Sequence, residues 1–196
     1  MTSRVILISP ASNPSLRQAR FDDGRTPLDE SGTARAGAAA WTPRSPARVL
    51  TSPSLRCRET AAALGLREGD PLAELAGLHV GRWQGRTLDE VGSAEPEAVA
   101  QWLADPASAP HGGESVQQLC SRIGQWLDSE YVADDRTIAV VEPDVVRAVV
   151  VQVSQAPPTV FWRIDVAPLT ATEISGRAGR WNLRVGRPLG GRDTDG

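Results

Sequence analysis

Arg56 follows closely on Ser52-Pro53, and a Ser-Pro pair starts helices well, because serine caps the end and proline fits the first helical position. The guanidinium would then lie in a first turn whose backbone N–H groups point outward, where an anion can be held by both. An ordinary surface arginine is the competing reading. Two further stretches share one design. Arg4-Val5-Ile6-Leu7-Ile8 runs into Ser9-Pro10-Ala11-Ser12, and Thr137-Ile138-Ala139-Val140-Val141 runs into Glu142-Pro143-Asp144. Each is an apolar run ending in a proline turn, the pattern of a buried strand whose carboxyl end opens into a loop. In open α/β sheets ligands bind outside those ends, so Ser9 and Ser12 are candidate ligand-binding residues and the two loops are expected to be neighbours.

The elements that would position these residues alternate. After a polar, arginine-rich stretch over 14–24, Asp29 is expected to cap a helix over Glu30 to Ala40, stopped by Pro43 and Pro46. Arg48 to Thr51 reads as a short strand, with the Arg56 helix after it. Residues 72 to 91 are loop-like, with His79 between Gly77 and Gly81. A helix from about Leu88 is expected to break near Gly92, and a helical pattern resumes over Glu95 to Leu103. Val116, Leu119, Cys120, Ile123, Trp126 and Leu127 follow the i, i+3, i+4, i+7 spacing of a core-facing stripe. Val145 to Gln155 is apolar nearly all round, which calls for a buried helix. Phe161 to Ile164 is a short element. Leu169 to Ser175 and Trp181 to Val185 read as a hairpin turning at Gly176 to Gly179, and residues 187–196 as a flexible tail. Alternating strands and helices call for a three-layer α/β/α sandwich with a mainly parallel sheet and an antiparallel edge.

Composition narrows the function classes. A chain of 196 residues is expected to form a single domain, here residues 1–186. No apolar run approaches the roughly 20 residues that cross a bilayer, and the amino terminus lacks a signal-peptide core, so no membrane partner and a cytoplasmic location are expected. A net charge of −3 argues against nucleic acid, although all 21 basic residues are arginine, the better bidentate partner for phosphate and carboxylate. Cys57 and Cys120 lack metal-ligand spacing and read as reduced, packed thiols; no metal or other cofactor is indicated. Nothing in the chain bears on its oligomeric state.

Several motifs together resemble the histidine phosphatase superfamily, with its phosphoglycerate mutase-like fold. They are Thr26-Pro27-Leu28-Asp29-Glu30-Ser31-Gly32, Ser52-Pro53-Ser54-Leu55-Arg56-Cys57-Arg58-Glu59-Thr60-Ala61, Val80-Gly81-Arg82-Trp83-Gln84-Gly85, Gly112-Gly113-Glu114-Ser115 and Val145-Val146-Arg147-Ala148. They occur in the family's order across nearly the whole chain. The resemblance implies a pocket in which Arg56 binds phosphate, with Arg20 a looser match to a second arginine. It also implies two histidines, one attacking phosphorus and one binding the phosphoryl group. Their places fall on Pro10 and Glu142. The family's proton-donating acid falls on Gly77, and Glu74 would replace it only if the loop shifted.

A peptide proline has no lone pair to attack with, and a carboxylate at about 4 Å from phosphate is repelled by roughly 4 kcal/mol per unit charge at an effective dielectric near 20. The expectation is therefore a pseudoenzyme that binds a small anionic metabolite in a repurposed pocket. Glu142 and His79 are the candidate acid/base residues, and Arg56, Arg20, Ser9 and Ser12 the ligand-binding ones. His111 is a second histidine able to reach the mouth of the site. Arg56 and Glu142 could instead simply pair. Two other readings stand beside this one: an enzyme with reworked acid/base chemistry on Glu142 and Arg56, and a residual phosphohydrolase that activates water through Glu142 or His79 without a covalent intermediate.

Overall fold

The computed structural model describes residues 2–40, 47–67, 69–129, 132, 136–177 and 180–190. Six strands form one sheet: β1 (Ser3–Ile8), β2 (Arg48–Thr51), β3 (Asp70–Pro71), β4 (Arg136–Val140), β5 (Thr170–Arg177) and β6 (Arg180–Pro188). Their order is β3-β2-β4-β1-β5-β6. The first four run parallel, β5 is antiparallel to β1, and β6 is antiparallel to β5. The mainly parallel sheet with an antiparallel edge is thus the one expected.

Side chains on a strand alternate between faces, and β1 shows what each face meets. Val5 and Leu7 pack with Leu119, Ile123, Val145 and Val149, from α6 (Val116–Leu127) and α7 (Pro143–Ser154). Ile6 and Ile8 pack with Ala36, Cys57, Ala61 and Leu64, around α2 (Glu30–Ala38) and α3 (Leu55–Ala63). Val5, Leu7 and Ile8 are fully buried. At about 1.5–3 kcal/mol for each such side chain, this strand anchors both layers. It is central and covered on both faces, hence its unbroken apolar run. Asp29 caps α2 as expected, accepting from the Gly32 amide at 2.7 Å. Gly32 must be glycine, because a Cβ there would run into the Ser12 carbonyl.

Several local expectations are corrected. Ser54, not Ser52, caps α3, accepting from the Cys57 amide at 3.4 Å. Ser52 is held in the sheet instead, its amide donating to the Val140 carbonyl at 2.8 Å. Gly92 lies inside α4 (Leu88–Ala94), and the break comes at Pro96, the start of α5 (Pro96–Ala104). A helical glycine costs only about 1 kcal/mol, whereas proline also restricts the residue before it. Gly176 and Arg177 belong to β5, and Arg187 and Pro188 pair within β6, so neither the turn nor the tail begins where expected. The rest of that turn, the rest of the tail beyond Gly190 and the Pro43–Pro46 stop lie outside the described residues. The short helix α1 (Pro14–Arg17), capped by Asn13, and strand β3 were not foreseen. Among the described residues no helix is long and apolar enough to cross a membrane.

Candidate functional site

The β1 and β4 loops are neighbours because those strands pair, and the Val141 amide continues the ladder to the Ile8 carbonyl at 2.9 Å. A cavity of about 540 Å³ opens at this end of the sheet. Its wall includes Pro10, Arg20, Arg56, His79, Glu142 and Asp144. The helices α3 and α7 both begin here, so their positive ends face the space.

Arg56 and Glu142 are joined. Arg56 Nε donates to Glu142 Oε1 and Oε2 at 3.0 and 2.9 Å, and Nη2 makes a further bond to Oε2. The Ser54 hydroxyl donates to Oε1 at 2.7 Å, and the Cys57 thiol lies 3.5 Å from the same oxygen. Both paired side chains are only 9% exposed. Burial works against the charge of each. Arg56 is nonetheless held above its usual value by Glu142, with smaller pushes from Cys57 and Asp22. Glu142 is held below the usual carboxylate range by the charge and hydrogen bonds of Arg56 and by bonds from Ser54 and Cys57. The simple pairing of Arg56 with Glu142 is therefore the arrangement present. Gly77 makes room for it: a Cβ at that position would meet Glu142 Cγ at 3.0 Å.

Asp144, one turn-start further into α7, behaves oppositely. Burial raises its carboxyl above the usual range and Glu142 adds to this, against Arg147 and Arg56. Its partner Arg147 is 3.2 Å away, and that guanidinium also donates to the Ile164 carbonyl at 2.8 Å. The same point above Gly77 lies 3.9 Å from Asp144 Oδ2 and meets Glu142 through Cβ and Cγ, and both residues line the cavity.

The other expected residues divide. Arg20 lines the cavity, tied to Gln18 Oε1 at 3.3 and 3.2 Å and to the Gly85 carbonyl. His79 lines it with an exposed side chain. Ser9 does not line it: its buried hydroxyl donates to the Ala167 carbonyl and meets Thr170 Oγ1 at 3.2 Å. Ser12 is also absent from the wall. Neither serine lines this cavity, and the Ser9 hydroxyl is used in joining β1 to the chain leading into β5. The expectation for His111 is corrected. It is 1% exposed and packs edge-on against Trp83, with ring centres 5.0 Å apart, while Nδ1 accepts from the Gly113 amide. Glu74 is exposed on a 3-10 turn away from the wall. Among the described residues no group of three or more His, Cys, Asp or Glu is placed to hold a metal.

Sequence reasoning missed Ser54, Asp144 and Arg147 as wall residues. The signals were present: an acid directly after Pro143, and an arginine one turn on. An acid in a helix first turn is ordinary, however, and only the sheet decides that this helix end borders a cavity.

Comparison with known proteins gives these features a context. The chain is 36% identical over 129 residues to the glucosyl-3-phosphoglycerate phosphatase of Mycolicibacterium vanbaalenii, a match covering 59% of this chain and 57% of that one. It thus spans little more than half the length of this relative. A mycobacterial glucosyl-3-phosphoglycerate phosphatase structure, complexed with VO3, superposes with a TM-score of 0.80 at 25% identity, covering 95% of this chain and 99% of that one. A putative alpha-ribazole-5'-P phosphatase of Escherichia coli shares the fold, with a TM-score of 0.84 at 21% identity over 95% and 97% of the two chains. The expectation of a pseudoenzyme that only binds anions is overturned by these relatives, which are named as phosphatases. Residues 16–186 match the defining pattern of one family across strands, helices and pocket alike, and the chain belongs to the histidine phosphatase superfamily, branch 1.

Proposed function

We propose that the chain hydrolyses small phosphomonoesters by direct attack of water, with Glu142 as the base and Asp144 as the acid, and without a phosphohistidine. The observation that carries this reading is a pair of carboxyl residues on the wall of one cavity whose environments push them apart, Glu142 toward the ionised form and Asp144 toward the protonated one. Two such groups divide acid and base roles between them. The resemblance puts the family's nucleophilic histidine on Pro10 and its second histidine on Glu142, and a peptide proline cannot carry the phosphohistidine of that position. The names of the relatives support phosphatase chemistry, and the match over residues 16–186 supports one domain over residues 1–186.

The step balances. Glu142, oriented by Arg56 and Ser54, takes a proton from water as its oxygen bonds to phosphorus. The bond from phosphorus to the ester oxygen breaks, and Asp144 protonates that oxygen. The products are an alcohol and inorganic phosphate. Arg56 neutralises the Glu142 charge that would otherwise repel the phosphoryl group, while Arg20, Arg147 and the two helix amino ends supply the attraction.

A panel including 4-nitrophenyl phosphate and glucosyl-3-phosphoglycerate tests the reading. Hydrolysis should be measurable, and acid quenching should trap no phosphoenzyme. Inactivity across the panel, a trapped phosphoenzyme, or a rate that rises in Glu142→Gln would overturn it.

A further inference from the structure

The loop that carries Gly77, Leu78 and His79 into the cavity wall is held from behind by an arginine that does not itself line the cavity. Arg122 lies midway along α6, and all three of its guanidinium nitrogens are bonded. Nε donates to Glu114 Oε1 at 2.9 Å and Nη2 to Glu114 Oε2 at 2.8 Å. Nη1 donates to two backbone carbonyls, that of Glu74 at 2.6 Å and that of Ala76 at 3.0 Å. Glu114 closes the clamp beyond the loop, its amide donating to the His79 carbonyl at 2.7 Å. Only a planar fork can serve a carboxylate with one edge and two carbonyls with its remaining nitrogen.

Two contacts with the site lie between these grips. Gly77 packs on Glu142, where a Cβ would meet Cγ at 3.0 Å. Leu78 directs its backbone N–H at the Asp144 carboxyl. Burial raises that carboxyl, Arg147 and Arg56 lower it, Glu142 raises it, and the Leu78 N–H favours its ionised form. The other ionisable groups of the wall are Arg20, Asp22, Asp23 and His79. Among the described residues Arg122 bonds to none of these side chains, so its reach into the site runs through the backbone of 74–79.

We infer that Arg122 is a positioning residue of this site: by gripping Glu114 and the carbonyls of Glu74 and Ala76, it fixes the turn that keeps Gly77 against Glu142 and the Leu78 amide on Asp144. Its effect on turnover rests on the phosphohydrolase reading, while its effect on Asp144 does not. Lysine in its place keeps the charge as a point donor and loses the fork, so the turn drifts and the Leu78 amide leaves the carboxylate. Asp144 then gives up its proton only at higher pH.

Carbon-13 NMR of the Asp144 side-chain carboxyl follows this without substrate. In Arg122→Lys its titration should move to higher pH by about half a pH unit, and the alkaline limb of kcat/KM for 4-nitrophenyl phosphate should move with it. The displaced turn should also lower kcat by about tenfold. Urea unfolding checks that the variant is folded. Glu114→Gln is the second variant, keeping an acceptor for Arg122 without the charge, and should move both readings the same way by less. Arg86→Lys, in the solvated pair with Glu95, is the control and should move neither. An Asp144 titration unchanged in both variants, or displaced to lower pH, would overturn the inference. A displaced Asp144 titration with an unmoved limb would uphold it and overturn the assignment of Asp144 as the acid.

Discussion

The chain contains the same dipeptide twice in the same local setting. Glu95-Pro96 starts α5 and Glu142-Pro143 starts α7. In both, the glutamate occupies the cap position without capping through its side chain, and the proline takes the first helical position, where a missing N–H costs nothing. Both carboxylates turn to arginine instead. Glu95 meets Arg82, Arg86 at 3.2 Å and the Trp83 indole N–H at 3.3 Å, and those guanidiniums stand in solvent. Glu142 meets Arg56 in the cavity wall, with both side chains nearly enclosed. One local solution thus yields a solvated surface pair and a buried one. Water around the charges makes the difference, since an exposed pair gains little and a buried one strongly resists loss of either member.

Breaking each pair in turn should expose that contrast, most of all in activity. Glu142→Gln should lower kcat/KM for a phosphomonoester by about 10²–10⁴, the range for a general base, while Glu95→Gln should stay near the parent. Equal losses would erase the distinction between them. Stability comes next. Glu142→Ala strands a buried guanidinium and should cost about 3–5 kcal/mol in urea unfolding, whereas Glu95→Ala should move the midpoint far less. Replacing both members, as Arg56→Met with Glu142→Leu, should recover most of that loss, because no charge is then buried alone.

The pH effects are smaller and differ in sign between the two cavity carboxylates. Glu142 titrates below its unfolded value, so the stability it contributes is present above about pH 4.3 and is lost as pH falls through its lower folded value. Glu142→Gln should remove that part of the acid unfolding slope. Asp144 titrates above its unfolded value, so its contribution is present below about pH 3.9 and is lost as pH rises through the raised folded value. As the acid, it should make kcat/KM fall on the alkaline side of that same value. A pH–rate profile of Asp144→Asn should show a lower rate without that limb, and an unchanged limb would remove Asp144 from the reaction.

Much of the frame was legible along the chain because it depends on local periodicity. The α6 stripe lies at the residues where its spacing put it, and Arg48 to Thr51 is the strand expected. The misplaced boundaries involve competition between local signals and distant ones. Ser52 carries a good capping side chain, yet β4 claims its backbone. Within the site, Arg56 and Glu142 could be named from motif positions, whereas the Ser9 hydroxyl turned out to be bonded to the chain around Ala167 and Thr170. His111 looked like a loop residue until Trp83 and Trp102 closed over it.

By itself the sequence determined the alternation of strands and helices and the two proline loops, because both follow from residue identity and spacing. The tertiary structure alone decided that Arg56 and Glu142 are paired and buried, that Gly77 leaves the space for that pair, and that Asp144 and Asp22 border the same cavity. Charge acquires its chemical meaning from distance and from the water removed around it, and neither quantity is written in the order of residues.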